Sequence, residues 1–112
     1  MTLPAFLDRL PELDLPFDSS VVSSHAIRSD EALLVVFTFH QDMVLPDHSH
    51  GAQWGMVLEG EIEFTIGGDT ATYRPGDSYN IPAGVVHGAR IKAGTKVMDM
   101  FEEADRYPLK PR

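Results

Sequence analysis

The chain has 112 residues and a mass of 12.4 kDa; 43% of its residues are hydrophobic and 23% charged, which suits one compact soluble domain and excludes two conventional ones. Seventeen acidic side chains against nine basic ones give a formal charge of -8, a field that opposes the counterion release behind nucleic-acid binding, so neither DNA nor RNA is an expected partner. Cysteine is absent, which removes disulfides, thiolate metal clusters and a thiol nucleophile and leaves nitrogen and oxygen to hold any metal.

The opening stretch LPAFLDRLPELDLPFD carries prolines at 4, 11 and 16, which forbid a long helix but permit one short helical turn over residues 5–10. Residues 1–20 are expected to form an arm that packs on the domain or on a partner subunit. Met1-Thr2-Leu3-Pro4 lacks the basic start of a secretory signal. The longest apolar runs, such as Leu33 to Phe37, fall far short of the roughly 20 residues that cross a bilayer. The expected setting is cytoplasmic, with no membrane partner.

From Val21 onward the chain alternates with period two between Gly, Pro and Asp breaks, which predicts strands over 21–27, 32–40, 43–46, 54–58, 61–66, 70–74, 78–81, 85–91 and 96–102. The segments EGE at 59–61 and IGGDT at 66–70 supply glycines for tight hairpins, and RPGDS and IPAGV place proline before glycine as β-turns do. Strands with no helix between them cannot make a parallel sheet, which needs crossover connections. The predicted fold is all-β, an antiparallel barrel or two-sheet jelly roll over residues 21–106, followed by a tail at 107–112. Alternation puts Ile62, Phe64 and Ile66 on one face of their strand, and Val85, His87, Ala89 and Ile91 on one face of theirs.

His87 therefore points inward. His48 and His50 lie two apart, so on an extended segment their rings share a side and can close on one ion, with Gly51-Ala52 letting the strand turn and bring Gln53 back toward them. Closure of the sheets would carry His87 to the same place, and imidazoles at about 2.0 to 2.1 Å suit several divalent transition metals. His40 reads as a surface residue at a strand end, and His25 fits no pattern. Trp54 is expected to pack in the core or at an interface, Met43, Met56, Met98 and Met100 to fill the core, and Tyr79 and Asp99 are candidate polar groups of a pocket.

Two stretches of about 45 residues together resemble the paired motifs of the cupins. His48, His50 and Gly60 match the first motif, with Gln53 seven positions before Gly60, where that family carries a glutamate, and Asp42 in place of the opening glycine. Gly76, Pro82, Gly84 and His87 match the second at every interval, with Ile91 in place of the closing asparagine. The resemblance implies a jelly-roll β-barrel holding a divalent ion (zinc, iron, nickel or manganese) on His48, His50 and His87, with Gln53 in the fourth place. It also implies a homodimer. Gln53 is neutral where the family's glutamate is charged, so such a site would keep about +2 and favour a small, oxygen-rich, anionic metabolite. A metal-dependent dioxygenase, isomerase or lyase, a non-catalytic small-ligand sensor and a structural barrel are the classes that this pattern leaves open.

Overall fold

The computed structural model describes residues 3–111; residues 1 and 2 of the expected arm and residue 112 of the expected tail lie outside the described residues. The predicted alternation becomes nine strands among the described residues: β1 (Val22–Arg28), β2 (Leu33–Phe39), β3 (Met43–His48), β4 (Gln53–Glu59), β5 (Ile62–Ile66), β6 (Asp69–Tyr73), β7 (Ser78–Ile81), β8 (His87–Ile91) and β9 (Lys96–Phe101). They form two antiparallel sheets, one ordered β1-β2-β9-β4-β7 and the other β3-β8-β5-β6.

Period-two patterning decides which side of each sheet is buried. In β2, Leu33, Val35, Phe37 and Phe39 face the other sheet and are buried, and in β5 Ile62 and Phe64 are buried while Glu63 is exposed. Aromatic rings interlock across this interior, with Phe64 and Tyr79 centroids 4.5 Å apart and Phe37 edge-on to Phe101 at 6.4 Å. Each large side chain removed from water there contributes about 1.5 to 3 kcal/mol. Two motif glycines close turns with positive φ, Gly60 at 83° and Gly76 at 90°, a conformation that side chains resist.

Several element ends differ from expectation. The short helical turn is a 3-10 turn, Ala5–Arg9. β3 runs two residues past its expected end, because the ladder to β8 shifts register between Leu45 and His48 and resumes with His48 opposite His87. β8 starts only at His87, since the preceding residues form a turn in which Val85 N–H donates to Pro82 O at 3.2 Å and Gly84 N–H donates to His50 O at 2.9 Å.

The arm and the tail meet each other. Ala26 of edge strand β1 donates its N–H to Pro11 O at 2.8 Å, and Leu13 N–H donates to Ser24 Oγ at 3.1 Å. A bridge joins Leu13 to Leu109, flanked by Asp14 N–H to Pro108 O and Lys110 N–H to Glu12 O, both 2.8 Å. Backbone groups of an edge strand are thus occupied. The methionines depart from the core-filling expectation. Met43 lines the interior cavity, but Met98 and Met100 alternate with buried Val97, Asp99 and Phe101 and fall on the outer face of the five-stranded sheet. There Trp54 pairs with Met100, and Met56 with Met98.

Candidate metal centre

The site begins with the irregularity in β3. Regular alternation from Met43 and Leu45 would send Asp47 inward; the register shift between Leu45 and His48 gives that side to His48 instead. Pro46, with no N–H to lose, sits within the shift. On β8 the matching residue is Gly88, where a Cβ would lie 2.5 Å from Asp47 Oδ1 and 3.0 Å from Leu45 O, so glycine leaves room for the bulged strand.

His48 and His87 thus face one another across two paired strands, and His50 joins them from the loop before β4. Ring centroids are 4.3 Å apart for His48 and His87, 4.8 Å for His50 and His87, and 5.3 Å for His48 and His50. One nitrogen from each of the three lies within 4.8 Å of the other two.

The opposite nitrogen of every ring is tied to the backbone. Nδ1 of His48 meets Pro46 O at 2.8 Å, Nδ1 of His50 meets Gly51 O at 2.8 Å, and Nδ1 of His87 meets Val85 O at 2.9 Å. A carbonyl oxygen only accepts, so each Nδ1 carries the proton and each Nε2 lone pair is left for another partner. His87 Nε2 is buried with no hydrogen-bond partner, a state that normally costs about 1 to 3 kcal/mol. Burial holds His50 and His87 below the usual imidazole pKa, outweighing the hydrogen bonds to Gly51 and Val85 that pull upward. Both rings are then neutral at neutral pH, the form that binds a cation. Three convergent imidazoles fit a divalent transition metal of the zinc, iron, nickel or manganese type.

Gln53, the fourth predicted residue, is buried at the start of β4 and lines the same cavity. Its side chain hydrogen-bonds to Asp99. An amide donates to a carboxylate through its nitrogen. Asp99 also lines the cavity, and Tyr79, buried behind it, donates its O–H to Asp99 Oδ1. Burial lifts the Asp99 pKa to about 6 against those two hydrogen bonds, and burial beside Asp99 raises the Tyr79 phenol. Gly55 lies between them, where a side chain would collide with both polar atoms.

The cavity is about 50 Å³, room for a few water-sized groups. Apart from His48, His50, Gln53, His87, Asp99 and the Tyr107 ring, its wall is apolar, including Phe17, Phe37, Phe39, Phe64 and Phe101. His25 and His40 stay away: His25 Nδ1 meets Leu10 O at 3.2 Å near Asp8, and exposed His40 meets Ser23 Oγ at 2.9 Å. Sequence reasoning missed Arg106. It follows β9, its guanidinium carbon lies 4.4 Å from the Tyr107 ring centre, its Nε is buried without a partner, and its charge bears on both His50 and His87. An arginine beyond the last alternating strand, just after Glu102, Glu103 and Asp105, carries no periodic signal that would single it out.

The model of the cupin domain family matches residues 35–102, a span that holds the three histidines, Gln53 and Asp99. The chain belongs to the cupin family. Among solved structures, this cupin is similar to an RmlC-like cupin from Shewanella frigidimarina, at 24% identity over 91% of each chain with a TM-score of 0.77. It is similar to KdgF from a Halomonas species, at 19% identity over 88% of this chain and 91% of that one with a TM-score of 0.71. A third, more distant likeness is to Bacillus subtilis oxalate decarboxylase, a protein described with Mn(II) centres, at 18% identity over 75% of this chain and 26% of that one with a TM-score of 0.62. At these identities the solved structures share the fold with this cupin. A comparison with curated protein sequences finds no match. Among the described residues no helix is long and apolar enough to cross a membrane.

Proposed function

We propose that this cupin holds one divalent transition-metal ion on His48, His50 and His87, with the Gln53 amide oxygen as fourth ligand, and uses it to bind or transform a small oxygen-rich anion. The two sheets are read as a closed jelly roll over residues 21–106, with residues 1–20 as a packed arm and 107–112 as a tail. The observations that carry the proposal are the convergence of one nitrogen from each of the three rings within 4.8 Å and the three Nδ1–H bonds to Pro46, Gly51 and Val85, which leave Nε2 of each ring for a ligand. Zinc, iron, nickel and manganese all accept such donors, and the choice among them follows geometry and supply.

The charge balance supports an anion. Three neutral imidazoles and an amide cancel none of the ion's two charges, and Arg106 adds a further positive charge close by. The ion would polarise the bound oxygens, while Asp99, buried at the cavity wall, is the group of this chain placed to take up or give a proton. The outer-face row Ile27, Leu34, Met100 and Trp54, joined strand to strand, supports a homodimer through the five-stranded sheet, with the setting read as cytoplasmic.

The test is calorimetric titration of the nickel-loaded protein with oxalate as the anionic probe and glycerol as the neutral one. Oxalate is expected to bind the loaded protein and not the metal-stripped one, and Arg106→Gln is expected to weaken it about tenfold, the value of one charge-assisted contact. Equal oxalate binding with and without metal, or preference for glycerol, would contradict the reading.

A further inference from the structure

The loop that carries His50 is held from outside by the two residues that follow β9. Gly51 N–H donates to Glu103 Oε1 at 2.8 Å and Ala52 N–H donates to Glu102 Oε2 at 2.9 Å. In return Glu102 N–H donates to Ala52 O at 2.9 Å. A Cβ at Gly51 would come within 2.8 Å of Glu103 Cγ, so glycine at this point keeps the carboxylate's approach open.

These contacts are continuous with a metal-ligand candidate. His50 Nδ1–H donates to Gly51 O, and Gly51 O and Ala52 N–H are the two ends of a single peptide group. A hydrogen-bonded chain therefore runs from the imidazole N–H through that peptide to the Glu102 carboxylate, and bonds in such a chain polarise one another. Glu103 adds a second carboxylate, 3.8 Å from the same Nδ1. In many metal sites a ligating histidine gives its free N–H directly to a carboxylate, which orients the ring and makes the ligating nitrogen more basic. Here one peptide group stands between the ring and Glu102.

We propose that Glu102 and Glu103 are positioning residues for His50, supplying from outside the ligand set the negative charge that Gln53 does not. The inference rests on the reading of His48, His50 and His87 as ligands. The two carboxylates act from behind the His50 loop without entering the ligand set, so the set itself still cancels none of the ion's charge toward an incoming anion. Because both side chains are exposed, their effect weakens as salt rises.

The double variant Glu102→Gln/Glu103→Gln separates charge from geometry, since glutamine keeps a carbonyl acceptor for each loop N–H. Zinc affinity, read by competition with a chelator at low salt, is expected to fall about tenfold, the low end for an outer partner of a ligand, with the thermal midpoint unchanged. Glu102→Ala/Glu103→Ala is expected to lose more affinity and some stability. Wild-type affinity in the glutamine variant would overturn the proposal. A wild type that takes up no zinc would instead sink the ligand reading. In that event the His50 Nδ1–H proton resonance of the metal-free protein still decides: an upfield move in Glu102→Gln supports the chain, and an unmoved resonance overturns it.

Discussion

The cavity has two polar corners that are satisfied in opposite ways. At one, Tyr79, Asp99 and Gln53 close on each other, so that the buried carboxyl finds its partners inside the protein. At the other, His48, His50 and His87 spend their N–H groups on backbone carbonyls and leave their remaining nitrogens facing one another, with His87 Nε2 partnerless. A polar cluster that answers its own needs contributes to stability, whereas one that keeps unanswered acceptors together waits for a cation. Gln53 touches both corners, bonded to Asp99 at the first and lining the cavity with the histidines of the second.

Breaking the open corner should cost metal more than stability. His87→Ala is expected to lower zinc affinity by more than about 100-fold, beyond the range for an outer partner, while circular dichroism reports the same strands and a melting curve of wild-type cooperativity. The closed corner should behave in reverse. Gly55→Ala forces a methyl against Asp99 and Tyr79, and overpacking plus a broken buried hydrogen bond should cost about 3 kcal/mol in urea unfolding of the metal-free protein, while zinc affinity once folded falls far less than in His87→Ala, because only Gln53 of the proposed ligands touches this corner.

A smaller effect sharpens the comparison through pH. The folded Asp99 pKa is raised from 3.8 to about 6, so the folded state keeps a proton that the unfolded chain gives up. Its contribution is fully present below pH 3.8 and is lost as pH rises through about 6. At roughly 1.4 kcal/mol per unit, reduced by relaxation of the interior, the loss is about 2 kcal/mol. His50 and His87, with lowered values, push the other way over a neighbouring range, so the quantity to read is the difference from Asp99→Asn. Urea midpoints of the metal-free proteins should lie nearest each other at pH 4, where the folded Asp99 carboxyl is as neutral as asparagine, and wild type should lose ground to the variant as pH rises to 7; a constant gap would refute the assignment.

Much of the fold was legible because alternation is local. EIEFTI placed Ile62 and Phe64 inside, and VVHGARI placed His87 inside, before any pairing was known. The same rule, applied to KVMDMF, sends Met98 and Met100 outward, whereas residue type alone points methionine to the core. The order β1-β2-β9-β4-β7 and the contact of Leu13 with Leu109 join distant segments, and no local pattern encodes them. At the site, the histidines and Gln53 stood out by spacing, but an unbroken extended strand is not what aligns them. The register shift before His48 depends on β8 and on Gly88 beneath it. Asp99 was visible as a polar residue in an apolar strand, yet its bond to Gln53 was not. Arg106, Glu102 and Glu103 act through a turn that forms only when β9 reaches the loop before β4.

Sharing of one cation by His48, His50 and His87 is the property on which the rest depends. It is tested most directly by stripping the purified protein with a chelator, reloading it with zinc, removing excess and measuring zinc per chain by elemental analysis beside His48→Ala. About one zinc per chain is expected in the wild type and almost none in the variant at the same protein concentration. Substoichiometric zinc in the wild type, or equal zinc in both, would contradict it.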